Sequence, residues 1–329
     1  MKAIYDTICG LDAGVPVAFR NLTMFPLVGP DAGVGNYMTL DEALERKAVR
    51  ITEVSESGSV PELRLVNDGE ASVLLIDGEE LVGAKQNRTL NITILAPAHA
   101  TVALPVTCVE AGRWAHASAE FASESRAHYA AGRAMKHASV TESLRTRGIR
   151  SADQGEVWAD ISAKAARMSA CSETSAMAAL YERHETSMEA FVEAMPPLPR
   201  QRGALFAIGG EIVGFDLFDC AATLGKLLPK IVRSYALDAM DSRAEQPAPP
   251  TEAVRAFLSR AAAGETRSFD AVGLGTDLRL EAPGLAGGAL EVDGRIVHLG
   301  VFARACSAAE ASASLSRASI RRSTHFHAE

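Results

Sequence analysis

The apolar positions of the N-terminal third recur in short runs broken by turn residues. Val49-Arg50-Ile51-Thr52-Glu53-Val54 alternates with period two and stops at Ser55-Glu56-Ser57-Gly58; Leu63-Arg64-Leu65-Val66 stops at Asn67-Asp68-Gly69. Val73-Leu74-Leu75-Ile76 reads as a buried strand, and strands around Ile94 and from Ala103 to Val109 follow. Asp77-Gly78 has the composition of a two-residue hairpin turn between Ile76 and Glu79. Val15 to Leu27 mixes apolar residues with prolines and reads as an opening edge strand, and Thr39-Leu40-Asp41-Glu42 is a capping box for a short helix through Leu44. Short strands at this spacing predict an antiparallel sheet or sandwich over residues 1–117.

From Ser118 the pattern lengthens and the composition shifts to Ala, Glu, Arg and Met. Ser125–Arg147 predicts one helix. A second capping box, Ser151-Ala152-Asp153-Gln154, opens a helix through Ser169, and Ser172–Met195 predicts a third, ended by Pro196-Pro197-Leu198-Pro199. Residues 118–200 thus read as a helical insertion. Over 201–305, hairpins with Gly209-Gly210 and Asp293-Gly294 at their turns flank a helix from Leu217 to Met240, kinked at Pro229, and a second helix over Thr251–Ala263. The segment 306–329, rich in Ala and Ser with Arg317, Arg321 and Arg322, reads as a disordered tail. Together these predict an α+β fold: an antiparallel sheet or sandwich core, an inserted helical segment, and a second αβ half packed on the first.

Composition narrows the classes. A chain of 329 residues with 47% hydrophobic and 22% charged residues can bury a sizeable core. A net charge of −8 without a basic block argues against nucleic acid as the main partner, though not against a local phosphate pocket. The five cysteines (Cys9, Cys108, Cys171, Cys220, Cys306) are scattered with no Cys-x-x-Cys pair, which argues against a zinc ribbon or disulfide framework and favours a reducing compartment. Met1–Asp6 has no apolar signal core and no run approaches membrane-spanning length, so a cytoplasmic protein without membrane partners is expected.

The densest chemistry follows Asp77-Gly78. Glu79 and Glu80 are neighbours on a strand, so one is expected to face solvent and the other a cleft. Lys85-Gln86-Asn87-Arg88 and Asn91 then lie between apolar strands. Glu79 or Glu80 has the chemistry of a general acid or base, Lys85 and Arg88 that of phosphate ligands, and Gln86, Asn87 and Asn91 that of ribose or base contacts. The plainer reading is a polar loop whose amides tie down a bulge. Cys108-Val109-Glu110-Ala111-Gly112-Arg113-Trp114 leaves a second strand, and Glu110, Arg113 and Trp114 fit the rim of the same pocket, with Cys108 an inert buried thiol. As polar exits from strands of one sheet, residues 85–91 and 108–114 are expected side by side.

Elsewhere the structural explanation is the stronger one. The capping box accounts for Gln154 and the helix dipole for Asp153; Asp216 and Asp219 fit a helix cap; His298 fits a satisfied core histidine; Glu53 and Glu56 fit solvated turn acids rather than a metal pair. There is no metal-spaced His/Cys set, Gly-x-Ser-x-Gly, Walker A or dinucleotide glycine motif; Gly273-Leu274-Gly275 is only a partial match to the last. No metal ligand or cofactor follows from these residues.

The stretch Leu75 to Arg88 resembles a bacterial family named for its association with ADP-ribosylglycohydrolases and rhodanese-phosphatase proteins. The resemblance continues through Pro105–Trp114, Ser151–Trp158, Gly209-Gly210, Asp216–Asp219 and Ser234–Ala239. It implies a link to NAD or ADP-ribose metabolism and no catalytic assignment. Ala152 interrupts the Ser-Asp-Gln expected from the resemblance, which weakens a catalytic role for that helix start. Two functions follow: a protein that binds or processes an anionic nucleotide derivative of the ADP-ribose type, or a non-catalytic interaction or ligand-sensing module that docks through the same stretch.

Overall fold

Three β-sheets and two groups of helices divide the apolar stretches among them in the computed structural model, which describes residues 2–33, 35–55, 61–115 and 117–304. The N-terminal part runs α1 (Lys2–Cys9), β1 (Asp12–Ala13), β2 (Val17–Phe19), β3 (Leu22–Val28), β4 (Tyr37–Thr39), α2 (Leu40–Glu45), β5 (Val49–Glu53), β6 (Glu62–Asn67), β7 (Ser72–Leu75), β8 (Glu79–Gly83), β9 (Arg88–Leu90), β10 (Ile94–Ala96), β11 (Ala100–Cys108) and β12 (Phe121–Ala127). Four helices follow: α3 (Ala130–Arg147), α4 (Gln154–Arg167), α5 (Ala178–Arg183) and α6 (Glu185–Ala194). The last part runs β13 (Gln201–Ile208), β14 (Glu211–Phe218), α7 (Ala221–Asp241), α8 (Thr251–Ala262), β15 (Glu265–Asp270), β16 (Thr276–Ala282), β17 (Leu285–Val292) and β18 (Arg295–Ala303). The fold is α+β, and the strand ladders are antiparallel except β4 with β7. The predicted tail, 306–329, lies outside the described residues.

The largest sheet is ordered β1-β3-β13-β14-β18-β17-β16-β15, with β2 also on β3. Residues 12–28, grouped by their sequence position with the N-terminal strands, therefore belong to a sheet otherwise built by the C-terminal half. β3 is an interior strand rather than an edge, because β13 pairs along one side of it and the short β1 and β2 along the other. One face of this sheet is covered by α1 and α8, whose apolar residues join Phe25, Leu205, Phe215 and Leu299 in one cluster; α7 and the inserted helices cover the other.

The second extended sheet is ordered β12-β8-β9-β11-β6-β5, and it curls until β12 packs back against β5. Alternation points Val49, Ile51, Leu63, Leu65, Leu81, Leu90, Leu104, Val106 and Phe121 into one shared core, giving a small barrel. A three-stranded sheet, β10-β7-β4, and α2 extend this core at its side.

Several expected elements are corrected by this topology. Asp77-Gly78 is not a hairpin turn: β7 pairs with β10 and β4, whereas β8 pairs with β9 and β12, so the turn sends the chain from one sheet to another. The predicted helix from Ser125 begins at Ala130, because Phe121–Ala127 completes the barrel. Ser172–Met195 divides into two short helices, and Leu217 and Phe218 belong to β14 rather than to the following helix, which does contain Pro229. Among the described residues no helix is long and apolar enough to cross a membrane.

Candidate functional site

The true hairpin of the polar stretch is β8–β9, with Glu80 opposite Thr89 and Leu81 opposite Arg88, so Lys85, Gln86 and Asn87 form its turn. Gly83 has φ +132, and a Cβ there would lie 2.5 Å from Ser118 Oγ and 2.7 Å from the Glu120 carbonyl, so only glycine fits. Ala84 follows at φ 38, in the left-handed region, its amide donating to Ser118 Oγ at 2.9 Å. This strained corner is framed from the second polar segment. Arg113 reaches the Ala84 carbonyl (2.7 Å), Asn87 Oδ1 (2.9 Å) and Glu110 (2.7 Å), and Glu110 also accepts from the Asn87 amide (3.1 Å) and Thr174 Oγ1 (2.7 Å). Glu110 and Arg113 thereby hold the turn in shape. Burial would raise the Glu110 carboxyl, but Arg113, Thr174 and the Asn87 amide outweigh it and hold it low.

The two segments meet as expected, since Cys108 lies opposite Arg88 in the β9–β11 ladder. Period-two alternation then has a consequence the chain order hides. Glu53 continues the inward face of Val49 and Ile51, Cys108 that of Leu104 and Val106, and Arg88 that of Leu90. One end of the barrel interior is therefore polar, made of Glu53, Arg88 and Cys108. Arg88 is fully buried. Its Nη1 donates to the Gln86 carbonyl (3.1 Å) and to Gln86 Oε1 (2.8 Å), while Nε and Nη2 have no partner. Both carboxylate oxygens of Glu53 are likewise buried and unpartnered. Glu53, expected as a solvated turn acid, is instead buried where β12 packs against β5. Burial lowers the Arg88 pKa and pushes the Cys108 thiol up to about 11, so the thiol is neutral and poorly nucleophilic. Half-exposed Trp114 covers this end, with Arg88 Cζ and Lys85 Nζ each 5.5 Å from its ring centre.

The remaining expected site residues lie elsewhere. Neither Glu79 nor Glu80 faces solvent, because β8 is covered on both sides. Glu79 accepts from Lys230 Nζ (2.6 Å) and the Ile76 amide (2.8 Å); Glu80 pairs with Arg126. Burial raises both carboxyls against these cations. Asn91 is turned away from the barrel end: it accepts from Thr107 Oγ1 (2.6 Å) and donates to the Arg150 carbonyl (2.9 Å). Gln154 is not part of a capping box. Asp153 caps α4, and Gln154 instead bonds both the amide (2.9 Å) and the carbonyl (2.8 Å) of Cys108, fastening the helix to β11. A groove of about 950 Å³ between α3 and the start of α4, lined by Ser143, Arg147, Ser151, Asp153 and Gln154, lies beside this fastening.

A second polar cluster, unforeseen as a unit, joins the barrel to the large sheet. Arg133, fully buried on α3, donates to Asp77 (3.0 and 3.3 Å) and to Asp216 on β14 (2.6 and 3.1 Å). His137 reaches Asp77 (3.0 Å), Tyr235 reaches Asp216 (3.2 Å), and His298 bridges Asp216 (3.2 Å) and Thr93 (2.7 Å). His298 is the satisfied core histidine expected; Asp216 is a strand residue and not a helix cap. Two aspartates and two histidines suggest a metal set, but Arg133 sits between the carboxylates, and no metal-holding group of three such side chains occurs among the described residues. In the sequence the turn at Asp77-Gly78, Asp216 and His298 stand out singly, and nothing local joins them. Gly78 has φ +81, and a Cβ there would press on Arg133 Cγ and Cδ at 3.0 Å.

No curated protein and no solved structure matches the chain significantly. A family model matches residues 10–302, which takes in every strand of the barrel and nearly all of the large sheet. By that match the chain belongs to the ARG and Rhodanese-Phosphatase-superfamily-associated Protein domain family.

Proposed function

We propose that the polar end of the barrel binds an anionic small molecule of the nucleotide-derivative class, such as an ADP-ribose derivative. The observation that carries this reading is the Nε–Nη2 edge of Arg88, two parallel donors held in a fully buried position without a partner. Such an edge matches the two oxygens of a phosphate or carboxylate, and leaving buried donors unmade costs about 1–3 kcal/mol each. Reading the ARG of the family's description as ADP-ribosylglycohydrolase, as the sequence resemblance implies, supports the ligand class. Trp114 offers a ring face beside Lys85 and Arg88 for a base or for the entering ligand. The reading is one of binding: Glu79 and Glu80 are held by Lys230 and Arg126.

Calorimetric titration with ADP-ribose, NAD and inorganic phosphate tests it. Arg88→Ala is expected to weaken anion binding about tenfold to hundredfold, the worth of one charge-assisted hydrogen bond. Affinity in the unmutated protein is expected to fall as salt rises. Absence of anion binding, or equal binding by Arg88→Ala, would refute the proposal and leave a docking surface as the better account.

A further inference from the structure

We infer that Glu53 is a specificity-determining residue, and that its carboxylate and the open edge of Arg88 together receive a small anion that also carries a hydrogen-bond donor, a hydroxyl or an amine, as a sugar phosphate does. This rests on the reading of Arg88 as the anion contact. Glu53 and Arg88 project into the same end of the barrel from β5 and β9, and the charge of Glu53 acts on both Arg88 and Cys108. Yet the two do not pair: both oxygens of Glu53 and both donors of the Arg88 edge are buried and without a partner. Opposite charges enclosed together close into an ion pair unless something holds them apart, because each uncompensated buried charge is costly. The two leave different strands, β5 and β9, whose registers are fixed by their ladders. The neutral Cys108 thiol lies nearby and offers no charge to either.

A ligand that satisfies both halves must present acceptors to Arg88 and a donor to Glu53. A bare phosphate ester meets Arg88 but leaves Glu53 facing a second anion. A hydroxylated phosphate gives Glu53 a proton to accept. The site is therefore selective by its unpaired acid rather than by its base, in the way that unmet buried polar groups reject analogues lacking the matching group.

The probes are methyl phosphate and ribose 5-phosphate, titrated calorimetrically against the whole chain. The unmutated protein is expected to prefer ribose 5-phosphate by about tenfold to a hundredfold, the range of a hydrogen bond to a charged group. Glu53→Leu is expected to bring the two affinities within about twofold while methyl phosphate binding holds or tightens. Glu53→Gln, which keeps the shape and drops the charge, is expected to shrink the preference at least threefold. Neither variant should lower Tm, since neither removes a hydrogen bond. Retention of the full preference in both variants overturns the role of Glu53 and leaves Arg88 as the anion contact. A fall of several degrees in Tm in both shows that Glu53 is already compensated in the fold, and likewise overturns the inference. Failure of the unmutated protein to bind either ester overturns the Arg88 reading itself.

Discussion

Arg133→Met is the perturbation that most directly tests how the two sheets are joined. The methionine keeps most of the buried stem and removes the guanidinium, leaving Asp77 and Asp216 enclosed with His137, His298, Tyr235 and Thr93 as their only neighbours in the cluster. Removing one partner of a buried ion pair typically costs about 3–5 kcal/mol. With about 2–4 °C of Tm per kcal/mol for chains of some 150–250 residues, the expected fall is about 6–20 °C. The sign of the pH dependence follows from the same contacts. Burial alone would raise both aspartates, but Arg133 and the histidines outweigh it and hold them below the usual carboxylate range. Their contribution is therefore present above the unfolded value near about 3.9 and is lost as pH falls through the depressed folded values. In Arg133→Met burial is less opposed and the carboxyls protonate more readily, so the stability deficit should narrow as the medium is acidified. Differential scanning calorimetry at pH 7 and pH 4.5, together with the triple variant Arg133→Met, Asp77→Asn, Asp216→Asn, provides the assay. The triple variant should recover at least half of the loss. A fall in Tm below about 3 °C, or a triple variant no more stable than the single one, would show that the cluster is not what joins barrel and sheet.

His128, fully buried with neither ring nitrogen partnered, is held well below its usual pKa by burial and then by Lys136 and Arg133. Its contribution is thus present above the unfolded pKa of about 6.5 and lost as pH falls below it, by up to about 1.4 kcal/mol per pH unit. His128→Leu should flatten the decline in urea-unfolding free energy between pH 6.5 and 5; unchanged slopes would contradict this. Gly132→Ala should destabilise despite the better helix former, because the new Cβ would lie 2.3 Å from His128 Nε2 with the ring enclosed. The overpacking cost of about 1–3 kcal/mol then exceeds the helix gain of about 1 kcal/mol; a Tm at or above that of the unmutated protein would refute it.

Local signals carried much of the architecture. The capping box at Thr39–Glu42 forms as written, with Thr39 accepting from the Glu42 amide and Glu42 from the Thr39 amide. Gly209-Gly210 and Asp293-Gly294 turn the hairpins they predicted, because residues at positive φ are what such turns require. The polar stretch was legible as the richest chemistry in the chain, and its neighbour at Cys108–Trp114 as a strand exit beside it. Two of its members were misjudged for one reason: Glu79 and Glu80 alternate across a strand, but alternation cannot tell that both faces will be covered.

The sequence by itself determined the α+β class, most of the turns and caps, and where hydrogen-bonding side chains concentrate, since these depend on residues a few positions apart. Which of those side chains are left unpaired was decided only by tertiary structure. Glu53 and Arg88 are 35 positions apart and come to the same polar end of the barrel interior only through the curling of the sheet. Asp77, Arg133, Asp216 and His298 come from four separate elements and meet because the barrel is packed against the large sheet. A buried charge finds its partner, or lacks one, through contacts between distant segments, and no local periodicity encodes that distance.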